Sequence, residues 1–334
     1  MPVLPPSWSV VATVDEPAAL VLAFVLHHLE LGAARIHLFL DGPNPQAEDA
    51  LRDLPQVQLV VCDAAHWAAS VRRKNPKLHT GRQLVNANIA YAQTRSDWLL
   101  HCDCDEFVRD GTLLTDELSA TGPNRVYLKL PVAERVYPPA GSAAETDPFA
   151  GIFRYPLTDF DTIGPQIYGD LAPFLKDGVT GHRAGKAVVR TGLPITMGIH
   201  SPDGPPPHRT ARSRLLHFDG LTRLQYQIKL LRRAHEPPVS RPLRHGAARI
   251  AQYENLRDLV DQPDQLRDLV GRLKGLTTQQ FDALRALDAL DERRFQPLGQ
   301  NPLGADLTVP GLDAALRLRY RDVLQSHAPG WLTG

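Results

Sequence analysis

Short β-branched and apolar runs alternate with stretches of helical period along the first 130 residues. "SWSVVATVD" (7–15) reads as a strand. "EPAALVLAFVLHHLELG" (16–32) reads as a helix, because Pro17 suits a first turn and Gly32 a C-terminal stop. "RIHLFLD" (35–41) and "PQVQLVVCD" (55–63) are a second and a third strand. A helix over 82–93 leads to a fourth strand, "DWLLHCDCD", and "NRVYLKL" (124–130) follows. Strands apolar on both faces and separated by helices predict an α/β fold, a mainly parallel, Rossmann-like sheet flanked by helices. Between 131 and 215 Pro and Gly are dense, which predicts long loops over the sheet, with short strands at 186–190 and 194–200. Residues 219–234 and 247–326 carry apolar positions at helical spacing and predict a helical C-terminal region. "LRDLV" recurs at 256–260 and 266–270; five residues are too few for a structural repeat, and two similar helix surfaces are expected.

Composition narrows the class. A chain of 334 residues with 43% apolar and 22% charged residues can bury a large core, as one large or two modest domains. Lys plus Arg equals Asp plus Glu at 37 each, so no overall field recruits nucleic acid. Cys62, Cys102 and Cys104 form no disulfide framework, which favours a reducing compartment. The start "MPVLPPSWSV" lacks the basic and apolar regions of a signal peptide. No window reaches about 18 uninterrupted apolar residues, so no transmembrane segment is expected. These features predict a soluble, cytoplasmic protein.

The chemistry concentrates where strands end. Asp15, Asp41, Asp63 and the Asp103/Asp105 pair all close predicted strands, and ligands of open α/β sheets sit beyond the carboxyl ends of the strands. Aspartate is also common there as a turn or capping residue, which serves for Asp41 and Asp63 taken singly. Asp103 and Asp105, at a period of two, are expected on one face, with Cys102 and Cys104 on the other as small buried residues. Adjacent carboxylates repel unless a cation lies between them, and hard oxygen donors suit Mg²⁺ or Mn²⁺. An EF-hand does not fit, since Phe107 stands where a third oxygen ligand belongs and Val108 where the glycine belongs. Nor does a phosphatase "DxDxT/V" motif, for Phe107 replaces the small residue.

With these motifs in order, the chain resembles glycosyltransferases of the GT-A fold, within the family-2-like group marked by "DWLLxxDxDEF". The resemblance runs from residue 8 to about 235, through "ATVDEPAALVLAFVLHHLELGAARIHLFLD", "TGRQLVNANIAYAQTRSDWLLHCDCDEF", "GKAVVR", "GIH" and "LLHF". It implies a nucleotide-sugar-binding and catalytic domain over 1–235 and a helical extension over 236–334. It implies a hexosyltransferase moving sugar from a UDP- or GDP-linked donor to a glycan or lipid-linked acceptor. Asp103 and Asp105 would hold the Mn²⁺ or Mg²⁺ bridging the donor diphosphate, whose developing charge a metal neutralises. Asp15, Glu16 and Asp41 match positions that hold base and ribose, although Asp41 lacks the fuller "DDGSxD".

The family commonly adds a histidine to the metal shell, and the resemblance offers His217 in "LLHFDG", favoured because Arg223 follows within reach of a phosphate, and His200 in "PITMGIH". Lys186 of "GKAVVR" is a further phosphate or acceptor candidate, against an ordinary surface lysine. Arg209, Arg212 and Arg214 beside a Pro-rich loop read as a solvated face, as a lid over the diphosphate, or as a contact for an acidic glycan acceptor or a membrane surface. An inverting enzyme needs a buried carboxylate of raised pKa as base. Asp170 and Asp161 are the first choices, ahead of Asp159 and Asp219, while Glu106 is expected to turn away from the cation. Two rival readings are a nucleotidyltransferase, for which a Gly-rich phosphate loop is missing, and a non-catalytic nucleotide-binding module indifferent to metal.

Overall fold

The computed structural model describes residues 4–70, 75–139, 146–204, 208–209, 212–236, 246–299 and 306–333. In chain order its strands and α-helices are β1 (Trp8–Val14), α1 (Ala18–Glu30), β2 (Arg35–Leu40), α2 (Pro45–Leu51), β3 (Val57–Val61), α3 (Ala64–Ala69), α4 (His79–Gln93), β4 (Trp98–His101), β5 (Glu106–Val108), α5 (Gly111–Ser119), β6 (Tyr127–Leu130), β7 (Val132–Val136), β8 (Ile152–Arg154), α6 (Phe160–Tyr168), β9 (Lys186–Arg190), β10 (His208–Arg209), β11 (Leu215–His217), α7 (Arg223–Ala234), α8 (Ala247–Asp258), α9 (Pro263–Lys274), α10 (Thr278–Ala286), β12 (Leu290–Asp291), α11 (Val309–Arg319) and α12 (Arg321–His327). They fall into two compact units, one of 1–131, 184–215 and 297–305, the other of 132–183, 216–296 and 306–334. The units interleave along the chain.

The first unit is built on a seven-stranded sheet in the order β10-β6-β9-β4-β1-β2-β3. β4, β1, β2 and β3 run parallel, and β9 runs antiparallel between β4 and β6. The expected α/β, mainly parallel architecture is present. All seven residues of β1 are buried, as a strand covered on both faces requires. Helix α1 ends where Gly32 takes φ +95°, the left-handed geometry glycine adopts at no steric cost. One face of the sheet packs Val11, Phe39, Leu99 and Val189 against Ala87 and Ala90 of α4. The expected strand over 194–200 is absent; that segment is irregular and carries turns.

The second unit contains strands in the order β12-β8-β7-β11; β7 and β8 fall where loops were expected, and β12 where helix was. "VAERV" and "IFR" look too polar for a core, yet Glu134 pairs Arg154 directly across the antiparallel β7–β8 ladder and both are buried. A charge of each sign, matched in register, is the case that a hydrophobic-polar pattern misreads. Helices α7 to α12 supply the apolar packing through residues such as Tyr226, Leu231, Leu256, Val270 and Leu324. Among the described residues no helix is long and apolar enough to cross a membrane.

Candidate functional site

β1 and β4 are parallel neighbours in register from Trp8↔Trp98 to Val11↔His101. Asp15 and Glu16, just after β1, therefore emerge on the same carboxyl edge as Asp103 and Asp105, just after β4. The aspartate pair does not itself lie on a strand: β4 stops at His101, and 102–105 form a turn before β5. Strand alternation thus does not set the direction of these carboxylates. Cys102 and Cys104 are free thiols, 0% and 2% exposed, as small core residues should be.

Side-chain contacts define the turn instead. Glu106, fully buried, accepts the Asp103 backbone N–H through Oε2 at 2.8 Å. Lys186 follows Gly185, whose φ of +61° turns the chain into β9. Its Nζ is fully buried, 2.8 Å from Asp103 Oδ2 and 3.3 Å from Glu106 Oε2. Burial alone would lower the ammonium's pKa, but the Asp103 and Glu106 charges reverse that and raise it. Lys186 is accordingly neither a surface lysine nor a group exposed to a phosphate; it ties Asp103 to Glu106. Gln83 of α4 donates to the other Asp103 oxygen at 2.5 Å. Replacing Lys186 with methionine strands the buried Glu106 charge, and a broken buried pair costs about 3–5 kcal/mol; urea unfolding of Lys186→Met should show a lower midpoint with an unchanged slope.

Glu16 carries the electrostatic signature of the edge. Burial, then the Asp105 charge, then the Asp15 charge push its carboxyl up to about 7, against the opposing Asp15 N–H and His79. The Asp15 N–H reaches Glu16 Oε2 at 2.8 Å. Asp41, after β2, is otherwise engaged: it accepts from His79 Nδ1 at 2.9 Å and from Arg82 Nε at 2.7 Å. Burial alone would raise its pKa, but these two donors hold it below the usual carboxylate range. His79 and Arg82, one turn apart on α4, were not singled out in the sequence, although their i, i+3 spacing puts them on one helix face. His200, also in the first unit, turns Nδ1 to the Gly185 carbonyl at 3.0 Å.

In the second unit His217 is buried on β11, stacked on His182 with centroids 4.9 Å apart, and its Nδ1 lies 4.0 Å from Glu134 Oε2. Glu134 also accepts from the Thr180 and Gly181 backbone N–H groups. Asp219 is buried and accepts two contacts from Arg249 near 3.0 Å. Asp170 departs from the role expected of it: it is exposed and clamped by Arg272 at 2.6 Å through both oxygens, which lowers its pKa, the reverse of a buried base. Asp161 is exposed in the first turn of α6, and Arg223 is exposed at the start of α7. Arg212 is exposed, Arg214 half-buried, and the side chain of Arg209 lies outside the described residues.

No known family model matches the chain, and no curated protein matches it. Solved structures offer remote likenesses. TarS 1–349 of S. aureus shares 9% identity at TM-score 0.33, over 88% of this chain and 100% of that one. The mannosyltransferase PcManGT from Pyrobaculum calidifontis, in complex with GDP-Man and Mn²⁺, shares 14% at TM-score 0.33, over 99% of this chain and 86% of that one. A CMP:2-keto-3-deoxy-manno-octonic acid synthetase complexed with CTP shares 10% at TM-score 0.26, over 38% of this chain. The chain spans only 53% of that synthetase. At such scores the likenesses bear on neither substrate nor chemistry.

Proposed function

We propose that this chain is a metal-dependent glycosyltransferase of GT-A type, family-2-like, that uses the carboxyl edge of the first unit to hold a nucleotide-sugar diphosphate through Mn²⁺ or Mg²⁺. One observation carries the reading: adjacent parallel strands deliver Asp15, Glu16, Asp103 and Asp105 to one edge, where burial first, and then the Asp105 and Asp15 charges, raise Glu16. The carboxylates on this edge offer oxygen donors, with both nearby thiols buried and their pKa values pushed well above 9 by burial, so a hard divalent ion fits them. When bound, such an ion would neutralise the charge developing on a departing diphosphate. The chain's own part is orientation. Glu106 and Lys186 fix the turn carrying Asp103, and α4 contributes Gln83. Asp41, engaged by His79 and Arg82, could still meet a ribose hydroxyl through an oxygen lone pair. Of the carboxylates described in this unit, Glu16 has the pKa suited to proton transfer near neutrality.

The test is calorimetric titration of UDP, GDP and CDP, each with Mn²⁺ and with EDTA. One nucleotide should bind at least tenfold more tightly with metal. Binding indifferent to EDTA would favour the metal-free module, and no binding by any of the three would remove the nucleotide reading.

A further inference from the structure

At the opposite, amino-terminal edge of the same sheet lies a polar cavity of about 480 Å³. Ser7 before β1, Arg35 at the start of β2, and Arg95 and Ser96 before β4 line it, together with His37. Arg35 and His37 share a face of β2 by strand alternation. His37 is 1% exposed, and neither of its ring nitrogens makes a hydrogen bond of ordinary geometry, although the Gln58 side chain lies close enough to act on its pKa. Gln58, its register partner on β3, directs its amide N–H to Gln93. Buried polar groups are almost always paired, because an unpaired one forfeits its hydration for nothing.

The charges around His37 say what would complete it. Arg35 and Arg95 are exposed on the cavity wall, and each guanidinium presents a planar fork matched to phosphate oxygens. The nearest acidic group in sequence, Asp97, is occupied by the Ser7 N–H at 2.8 Å and the Ser7 hydroxyl at 2.7 Å. The carbonyl end of α4 at Gln93 opposes an anion with a partial charge of about half a unit, which two full guanidinium charges outweigh. The Ser7 hydroxyl is engaged with Asp97 and the Ser96 hydroxyl with that of Ser9, so the two guanidinium groups and the His37 ring are the donors this cavity offers a ligand.

We infer that this cavity is a second ligand site, separate from the acidic edge, that takes a phosphoryl oxyanion between Arg35 and Arg95 with a hydrogen bond from the His37 ring. The ligand is inorganic phosphate or a small phosphomonoester, and the volume admits either. The experiment is calorimetric titration of the full chain with inorganic phosphate, glycerol 3-phosphate and acetate. Saturable one-site binding of a phosphoryl ligand is expected, with acetate at least tenfold weaker. His37→Leu and the double variant Arg35→Ala/Arg95→Ala should each weaken binding at least tenfold, while Asp105→Ala leaves it unchanged. Tighter binding of glycerol 3-phosphate identifies an ester as the ligand, and equal binding identifies the free ion; either supports the site. The arginine pair is on the surface, so that variant remains informative should His37→Leu fail to fold. No saturable binding, binding unmoved by the double variant, or binding lost in Asp105→Ala would overturn the proposal.

Discussion

Asp105→Ala is expected to abolish the metal-dependent part of nucleoside-diphosphate binding, a loss of about 10²–10³-fold, taking a metal–diphosphate contact as worth several kcal/mol and each 1.4 kcal/mol as tenfold. Asp103→Ala is expected to cost about tenfold less. The two aspartates look equivalent in the sequence, but their surroundings differ. Both Asp103 oxygens receive donors from within the unit, Gln83 on one and Lys186 on the other, so its charge is already largely neutralised. The Asp105 charge instead acts on Glu16, where it is the largest of the charge effects raising that carboxyl. Removing Asp105 should therefore also return Glu16 toward the ordinary carboxylate range, visible as a lower apparent pKa in a carboxyl-resolved NMR titration. Equal losses at the two positions, or a wild-type affinity in Asp105→Ala, would refute this division of labour and leave the turn with a structural role alone.

The division was not legible in the sequence because it depends on Lys186, 83 residues after Asp103. What was legible followed period and punctuation: the first-unit strands, α1 with its Gly32 stop, and the acidic rim at the strand ends all arise from local patterns. What was hidden came from charges paired over distance. Glu134 and Arg154 made β7 and β8 look like loops, and Asp170 looked eligible as a base until Arg272, about a hundred residues on, proved to clamp it. Pairing removes the penalty that normally keeps a charge at the surface, so burial of one partner can be read only once the other is known. His37 is the opposite case, an unremarkable strand position in sequence whose interest lies in its place in the wall of an arginine-lined cavity.

Acidification is expected to unfold the two units in separate windows, the first beginning near pH 6.5 and the second only below pH 4. In the first unit burial holds His27 down to about 4, His28 to about 3 and His101 to about 4. Two of these rings also serve as acceptors in their neutral form. His27 Nδ1 accepts the Leu298 N–H at 3.0 Å and His28 Nε2 accepts the Val108 N–H at 3.3 Å, while the other nitrogen of each ring faces a carbonyl, of Val108 and Phe24 respectively. Each ring thus needs one unprotonated nitrogen, and protonation destroys an acceptor. These pKa values are depressed by folding, so the stability is present above the unfolded value of about 6.5 and is lost as pH falls toward 4. Three protons at about 1.36 kcal/mol each per pH unit give about 4 kcal/mol per unit. Glu16 opposes this: its pKa is raised, so between about 4.5 and 7 the folded state holds one proton more than the unfolded, leaving a net loss of about 3 kcal/mol per unit. In the second unit Glu134 and Asp219 are held low by cationic neighbours, Lys274 foremost for Glu134 and Arg249 for Asp219, which outweigh burial. That stability is present above the unfolded carboxylate value and disappears only below about pH 4. Hydrogen exchange read peptide by peptide from pH 7 to 2.5 should show α1 and β1 losing protection before β7 and β8, and His28→Gln should remove one proton from the first slope. A single transition below pH 4 covering all four elements would contradict the neutral-histidine account, because it would mean that charging those rings costs the fold nothing.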